Sequence, residues 1–314
     1  MKNFIKPAVF ALAALAAGAA HAEYPGDGKI SFVIPYKPGG GFDTIVRTFA
    51  PALEEVLGTT VVPDNIPGAS GTRGGQAVYR AEPDGYTIGI FNIPGLTVSE
   101  ATNRDIGFPL SEITWVANLA EEQYGIAVKS DSPIQSVADL CALGRPAKMS
   151  DTGVDSTSSI TAVISFNILN CPIVNVTGYG GSNDTMIAVM RGEVDATLKP
   201  IGSLAKYVAS GDMRMIFTLT KNTVLEGVQN ATEIGHPEIA KFTINRVVGA
   251  PPGTPSDVVA KLSAALEAAS KSAPVQEWAS GSGTQLTFMP ADETGAMMSD
   301  LSSFYAQYKD LLSK

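Results

Sequence analysis

The sequence predicts an α/β fold in which strands and helices alternate along the chain in two successive units. Three observations favour this fold. The spacing of apolar residues changes from a period of two to a period of 3.6 residues across positions 38–43. Glycine-rich or hydroxyl-rich loops follow several predicted strands, and the same alternation restarts near residue 148. This pattern is typical of mainly parallel sheets flanked by helices, whose ligands bind beyond the carboxyl ends of the strands.

The first predicted strand and helix are joined by a glycine-rich loop. Alternating apolar residues predict a strand over 30–34, and apolar residues at helical spacing predict a helix from Asp43 onward. Asp43 is a good N-cap because its carboxylate accepts hydrogen bonds from first-turn N–H groups. Gly39, Gly40 and Gly41 leave main-chain N–H groups uncovered beside the positive end of the helix dipole, which favours an anion site. The alternative is that this loop is only a tight turn.

The first unit continues with two further strands. A short strand over 59–62 leads into a second glycine-rich loop over 65–75, in which serine and threonine hydroxyls add donors. A third strand over 86–91 ends at Asn92. Because both glycine-rich loops and Asn92 follow strands, we expect them to meet at one edge of the sheet.

A second α/β unit is predicted from about residue 125 to residue 245. It contains a hydroxyl-rich loop over 150–159 before a helix, and a third glycine-rich loop over 178–183 after a strand. A further strand over 196–198 ends at Lys199. These loops are therefore expected to gather at strand ends as well.

Three predicted strands connect the two units. Those over 115–119 and 124–128 lead into the second unit, and the strand over 243–248 returns the chain to the first. A helix is predicted from about Pro255, since proline suits the first helical turn. The last helix carries methionines and aromatic residues at helical spacing over 297–312, which indicates packing rather than a cofactor site.

The amino-terminal residues have the features of a secretion signal. A basic start, an apolar run too short to span a bilayer and the small-residue motif Ala20-His21-Ala22 predict a signal peptide over 1–22. The mature chain is expected to begin near Glu23.

The mature chain is predicted to be acidic. Without Lys2 and Lys6, 20 basic residues face 31 acidic ones, a net charge of about −11. This charge argues against binding to nucleic acid, which needs a basic face. It also repels a carboxylate ligand at long range, so such a ligand would need local donors in a cleft.

Cys141 and Cys171 are the only cysteines of the chain. In an oxidising compartment a disulfide between them is expected, and the chain-entropy model assigns it roughly 3 to 4 kcal/mol. The alternative, two separate buried thiols, stays open at this point.

The chain has few of the residues and motifs that are typical of catalytic sites. After residue 22, His236 is the only histidine. The sequence contains no nucleophile elbow, no dinucleotide-binding loop, no Walker loop and no cysteine–histidine metal spacing. It therefore predicts a binding protein rather than an enzyme, with no metal and no cofactor.

Five motifs are distributed along nearly the whole mature chain. They are P-Y-K-P-G-G-G-F-D at 35–43, N-I-P-G-A-S-G-T-R-G at 65–74, P-D-G-Y-T at 83–87, G-E-V-D at 192–195 and A-P-P-G-T-P at 250–255. Together, and in this order, they resemble the motifs of the Bug family. This family comprises the extracytoplasmic solute-binding proteins of tripartite tricarboxylate transporters, the TctC type.

The resemblance implies a two-domain periplasmic binding protein of type II. Each lobe is then a mainly parallel sheet flanked by helices, with residues 23–124 plus 246–314 in one lobe, residues 125–245 in the other and hinge strands between them. The implied function is capture of a small organic acid with one to three carboxylates, aromatic acids included, and its delivery to the membrane permease subunits of the transporter. The alternative is a periplasmic ligand-sensing module that feeds a two-component sensor kinase. We expect a monomer.

The resemblance also implies a set of ligand contacts, which in the family are largely main-chain N–H groups of the glycine loops. The implied residues of this chain are Tyr36, Gly40, Gly41, Phe42, Asp43, Ala69, Gly71, Thr72, Asn92, Ser156, Thr157, Ser158, Tyr179, Gly181, Ser182 and Lys199.

Three residues depart from the family pattern. Asp155 stands where the family commonly has glycine, Ser159 where it commonly has histidine, and Lys199 where it often has an acidic residue. The carboxylate of Asp155 would repel an anion unless it points away as an N-cap. Lys199 and Arg73 are cations that are suited to pairing a second ligand carboxylate. The alternative for each cation is a solvated position on the surface.

Overall fold

The structure is a computed structural model that describes residues 24–282 and 284–312. The predicted signal peptide over 1–22 lies outside the described residues. The strands are β1 (Ile30–Ile34), β2 (Val61–Asn65), β3 (Thr87–Ile93), β4 (Thr114–Lys129), β5 (Ala147–Ser150), β6 (Ile173–Val176), β7 (Ala196–Pro200), β8 (Met213–Thr218), β9 (Thr243–Ala250) and β10 (Leu286–Met289).

The helices alternate with these strands through most of the chain. They are α1 (Gly41–Leu57), α2 (Thr72–Tyr79), α3 (Gly95–Ala101), α4 (Val137–Cys141), α5 (Thr157–Ile168), α6 (Ser182–Met190), α7 (Ile201–Ala209), α8 (Ser256–Ser270), α9 (Ala273–Ser282), α10 (Ala291–Ala306) and α11 (Lys309–Leu312). Short 3-10 helices cover Ala69–Gly71, Leu110–Glu112 and Pro237–Lys241. Within the described ranges, none of the helices is both long and apolar enough to cross a membrane.

The strands join into one sheet with the order β2-β1-β3-β9-β4-β7-β5-β6, and β8 and β10 also pair with β4. Strand β1 runs parallel to β2 and β3, and β5 runs parallel to β6 and β7. Strands β4 and β9 are antiparallel to their neighbours, where the two parallel groups meet. The predicted α/β fold with two parallel groups of strands is confirmed.

Strand β4 passes through both groups of strands. Its residues up to Gln123 pair with β9, and its residues from Tyr124 pair with β7. The prediction of two separate strands over 115–119 and 124–128 is wrong here. The intervening run Glu121-Glu122-Gln123 looks like a polar break, but it continues the ladder, and Glu122 is buried against a cation of β9.

The predicted apolar spacings correspond to buried faces. Ile30, Phe32 and Ile34 of β1 are fully buried, and so are Ile45 and Phe49 of α1. Each such side chain contributes roughly 1.5 to 3 kcal/mol on burial. Strand β2 begins two residues later than predicted, at Val61.

The carboxyl-terminal segment packs as predicted but is divided into two helices. Helix α10 ends at Ala306 and α11 begins at Lys309, so the single helix predicted over 297–312 is interrupted. Tyr305 and Leu312 nevertheless lie in an apolar cluster with Phe242. The methionine and aromatic stripe is therefore part of the core.

Cys141 and Cys171 form a disulfide, which decides between the two alternatives left open by the sequence. The bond joins the end of α4 to the residues before β6, across a sequence separation of 30 residues.

Replacing both Cys141 and Cys171 with alanine is expected to lower the free energy of unfolding by roughly 3 to 4 kcal/mol, because the unfolded chain gains loop entropy. Urea unfolding with and without a thiol reductant measures this effect. The reductant should destabilise the wild type by the same amount and leave the double variant unchanged. Equal stability of the wild type under both conditions would contradict the prediction.

Candidate functional site

Four helices begin at one small cavity between the two groups of strands. Its volume is about 30 Å³, and it is lined by the first residues of α1, α5 and α6 and by Pro200, which precedes α7. We call it the polar cavity. Ten of the predicted ligand contacts line it, namely Tyr36, Gly40, Gly41, Phe42, Asn92, Ser156, Thr157, Ser158, Ser182 and Lys199.

Three of these helix starts have no side-chain cap from any described residue. Their N-cap residues are Gly40 for α1, Gly181 for α6 and Pro200 for α7. First-turn N–H groups have no partner inside a helix, and the helix dipole adds positive potential at the same end. The arrangement thus offers main-chain donors to an anion from several directions. Helix α5 differs, since Ser156 accepts a hydrogen bond from the N–H of Ser159.

The carboxylate of Asp43 lies at the start of α1 but does not bind the first-turn N–H groups of that helix. Asp43 was predicted to be the N-cap, which is wrong, because it is the third residue of the helix. Its Oδ2 accepts from the N–H of Gly39 at 2.8 Å, and its Oδ1 accepts from Arg47 Nε at 2.8 Å and from Asn65 Nδ2 at 3.0 Å. The carboxylate therefore braces the glycine loop from behind and does not occupy the donors of the first turn.

The same arrangement recurs at α6. Asp184 is the third residue of that helix, and its Oδ2 accepts from the N–H of Gly180 at 3.1 Å. In both loops two glycines precede the helix and an aspartate follows in its first turn. Two glycine loops at the cavity are thus held in the same way.

Six predicted contacts do not line the polar cavity: Asp43, Ala69, Gly71, Thr72, Tyr179 and Gly181. Ala69 and Gly71 flank Ser70, whose carbonyl accepts hydrogen bonds from the hydroxyl of Tyr36 and from Asn92. These two residues thus stand directly behind the lining. Tyr179 points elsewhere, since its hydroxyl lies 3.3 Å from Glu193 Oε2. The role of these six residues in binding stays a prediction.

Lys199 is buried in the cavity wall rather than solvated at the surface. Its side chain is 2% exposed, and Nζ lies 3.2 Å from Asp151 Oδ2 and 2.8 Å from Ser158 Oγ. Burial lowers the pKa of Lys199, and the carboxylate of Asp151 opposes that shift. The charge of Lys199 is therefore already compensated inside the protein.

Arg246 of β9 is a second buried cation at the cavity, and the sequence analysis missed it. Its Nε lies 2.8 Å from Glu122 Oε1, and its Nη2 lies 2.9 Å from Glu122 Oε2. The guanidinium carbon lies 4.4 Å from the centroid of the Phe42 ring, within cation–π range. A charged residue inside the otherwise mainly apolar strand over 243–248 was the available signal.

Asp155 and Arg73 lie away from the polar cavity. Asp155 forms an ion pair with Arg104, so its carboxylate is turned away from the anion site. Ser156, and not Asp155, caps α5. Arg73 is exposed and does not line the polar cavity.

A family model described as "Tripartite tricarboxylate transporter family receptor" (TctC) matches residues 45–305. The chain belongs to this family. Because the family consists of solute-binding receptors, the prediction that the chain is not an enzyme is confirmed.

Curated relatives and solved structures agree with this assignment. The receptor is 26% identical over 277 residues to a UPF0065 protein of Bordetella pertussis, covering 86% of this chain and 85% of the relative. It is 24% identical to Protein BugT of the same organism, covering 92% of this chain and 90% of BugT. The structure of the periplasmic binding protein BugD superposes with a TM-score of 0.85 at 22% identity, covering 92% and 98%. The structure of MatC from Rhodopseudomonas palustris with bound malate superposes with a TM-score of 0.82 at 21% identity, covering 92% of this chain and 100% of MatC. These likenesses confirm the two-domain fold.

The two halves of the receptor touch each other around the polar cavity. Asn92 Oδ1 accepts from the hydroxyl of Thr157 at 2.5 Å, and the N–H of Lys37 donates to the carbonyl of Gly180 at 3.3 Å. Asn92 Nδ2 also donates to the carbonyl of Ser70 at 2.7 Å. The side chain of Asn92 thus connects the second glycine loop to the start of α5.

Tyr124 lines the polar cavity and was not among the predicted contacts. It is fully buried, and its hydroxyl has no hydrogen-bond partner among the described residues. Burial raises the pKa of Tyr124 well above its ordinary value, so the hydroxyl stays protonated. The hydroxyl of Tyr36, also at the cavity, donates to the carbonyl of Ser70 at 3.0 Å.

The Tyr124→Phe variant is expected to increase the stability of the ligand-free receptor, because an unpartnered buried hydroxyl costs about 1 to 3 kcal/mol. Urea unfolding at neutral pH measures the change. Tyr36→Phe is the matched control, and it should lose about 0.5 to 1.5 kcal/mol with its hydrogen bond. An equal loss in both variants would mean that the hydroxyl of Tyr124 has a partner.

The same two variants test the pH dependence of stability. Burial raises the pKa of both phenols in the folded state, so above pH of about 10 the unfolded chain releases protons that the folded receptor retains. Stability should therefore fall as the pH rises above 10, and it should fall less steeply in either variant than in the wild type.

Proposed function

We propose that this receptor is a periplasmic, monomeric protein that captures a small organic acid in the cleft between its lobes. The acid carries one to three carboxylates, aromatic acids included, and the receptor delivers it to the membrane permease of a tripartite tricarboxylate transporter. The observation that carries this proposal is the convergence of four helix starts, three of them uncapped among the described residues, on the polar cavity. Structures of related fold with malate and with adipate support it.

The proposed lobes are residues 23–124 plus 246–314 and residues 125–245. The change of partner along β4 supports this division, since its pairing passes from β9 to β7 between Gln123 and Tyr124. Opening and closing would then bend β4 and β9, a hinge motion that exposes the polar cavity.

The energetics of capture favour main-chain donors. A charge-assisted hydrogen bond contributes roughly 1.5 to 3 kcal/mol, and a micromolar dissociation constant needs about 8 kcal/mol. Several N–H groups from α1, α6 and α7 reach that value after the costs of association and closure are subtracted. An additional fixed cation is therefore not required.

The Gly40→Asp variant is expected to lose at least tenfold in affinity for the bound acid. Gly40 is the N-cap of α1 with an extended backbone at φ −89°, and an aspartate there would accept the first-turn N–H bonds itself and add a negative charge. A thermal-shift panel of organic acids and sugars, followed by calorimetry, measures this. At least one acid and no sugar should stabilise the wild type.

Gly40→Ala is the matched control. Its methyl group would meet the Ser182 nitrogen at 3.5 Å, an ordinary contact, and it brings no acceptor. This variant should bind within a few-fold of the wild type. Equal affinity of Gly40→Asp and Gly40→Ala would place the carboxylate elsewhere, and stabilisation by sugars alone would refute the proposed function.

Removing the receptor from its native cell is expected to abolish uptake of the acid that the panel identifies. Radiolabelled uptake measures this, and a plasmid encoding the wild type should restore it whereas the Gly40→Asp variant should not. Unchanged uptake with loss of acid-induced transcription would contradict the transport role and favour the ligand-sensing alternative.

A further inference from the structure

A second and larger cavity adjoins the polar cavity. It has a volume of about 470 Å³, and Gly40, Gly41 and Arg246 line both spaces. The remainder of its wall is mostly apolar and includes Met186 of α6, Ala205 and Ala209 of α7, and Trp278 of α9. We call this space the apolar chamber. Gly40, Gly41 and Arg246 thus form the boundary between the two spaces, and hydroxyl groups of Thr44, Ser203 and Thr284 complete the chamber wall.

The size of the polar cavity limits what it can hold. Each water molecule needs at least about 10 to 15 Å³ of such volume, so about 30 Å³ accommodates two or three atoms of that size. This is enough for a carboxylate group but not for a complete dicarboxylic or tricarboxylic acid. With Asn92 and Thr157 in contact, the apolar chamber is the neighbouring space that shares residues with the polar cavity and has room for the rest of a ligand.

The charges around the polar cavity favour a single carboxylate. Lys199 is paired with Asp151, and Arg246 is paired with Glu122, so the two buried cations have no net charge to offer. The unused donors are the main-chain N–H groups of the helix starts and the hydroxyl of Tyr124, which has no partner among the described residues. Neutral donors of this kind suit one carboxylate group.

The apolar chamber does not suit a second carboxylate. Glu122 and Arg246 both form part of its wall, and their ion pair leaves no net positive charge there for a second carboxylate. The other cation at its wall, Lys206, is solvent-exposed, and its Nζ already donates to Asn183 Oδ1 at 2.9 Å. An exposed ion pair contributes about 0 to 1 kcal/mol, whereas apolar atoms gain by leaving water for this space.

From these observations, and resting on the proposed function, we infer that the ligand is a monocarboxylic acid with an elongated apolar tail. Its carboxylate occupies the polar cavity, and an alkyl chain of about five carbons or an aryl group occupies the apolar chamber. A cavity of about 150 Å³ holds benzene, so the chamber has room for either tail. Trp278 and Met186 supply the surface that the tail contacts.

The experiment compares acids that differ only in the tail. Calorimetry is carried out with propanoate, hexanoate and 3-phenylpropanoate, and with malate and citrate as compact acids of higher charge. Each methylene that becomes buried strengthens binding up to about fourfold. Hexanoate and 3-phenylpropanoate should therefore bind at least tenfold more tightly than propanoate, malate or citrate.

The Ala205→Phe variant fills the apolar chamber without contacting the polar cavity. It should lose at least tenfold in affinity for 3-phenylpropanoate and keep its affinity for propanoate. Ala138→Phe is the matched control, since Ala138 is exposed on α4 and lines neither cavity. Trp278→Ala is a second variant that removes apolar wall rather than adding bulk, and it should weaken the two long acids only.

The outcomes separate this inference from the proposed function. Tighter binding of malate or citrate, or equal affinity of Ala205→Phe and Ala138→Phe for every acid, would overturn the tail assignment and leave carboxylate capture standing. Failure of every acid to bind the wild type would overturn both.

Discussion

Arg246 and Glu122 join the two strands that connect the halves of the receptor, and both side chains are almost fully buried. Removing one partner of such a pair costs about 3 to 5 kcal/mol, because a charge is left without compensation. The guanidinium also lies against the Phe42 ring in the first turn of α1. The buried ion pair and the contact with Phe42 therefore hold β4, β9 and the start of α1 in fixed positions relative to one another. The position of the uncapped N–H groups depends on this contact.

Three helices that begin at the polar cavity lack side-chain N-caps among the described residues, which slightly lowers the stability of the fold. A serine or aspartate in place of a glycine N-cap alters stability by only a few tenths of a kcal/mol, yet its side chain would occupy donors that a ligand needs. Asp43 and Asp184 resolve this conflict, since each binds the N–H of the glycine before the N-cap and leaves the first turn free. Glycine at positions 40 and 181 thus keeps an acceptor away from the cavity while the aspartates keep the loops in place.

Local sequence patterns predicted most of the fold, and the family resemblance predicted much of the cavity. Period changes located β1 and α1, the end of a strand indicated Asn92, and the resemblance indicated Ser156 and Ser182, which also line the polar cavity. Arg246 and Glu122 are 124 residues apart, so no local pattern indicates that they pair. Tyr124 has the appearance of an ordinary strand residue, and only the packed structure leaves its hydroxyl without a partner among the described residues. Asp43 was misassigned because its acceptor role depends on which N–H group it turns toward.

The two buried cations of the cavity, Lys199 and Arg246, are each paired with a carboxylate and give polar walls without net charge. Under the proposed function, a bound anion would then be held by N–H and O–H dipoles that converge in the closed arrangement. The proposed hinge motion would separate α1 from α6 and α7 and remove much of this attraction at once. The chain carries a net charge of −9, which would then repel the anion at longer range. Tight capture in a closed state and rapid release in an open state would therefore follow from the same distribution of charge.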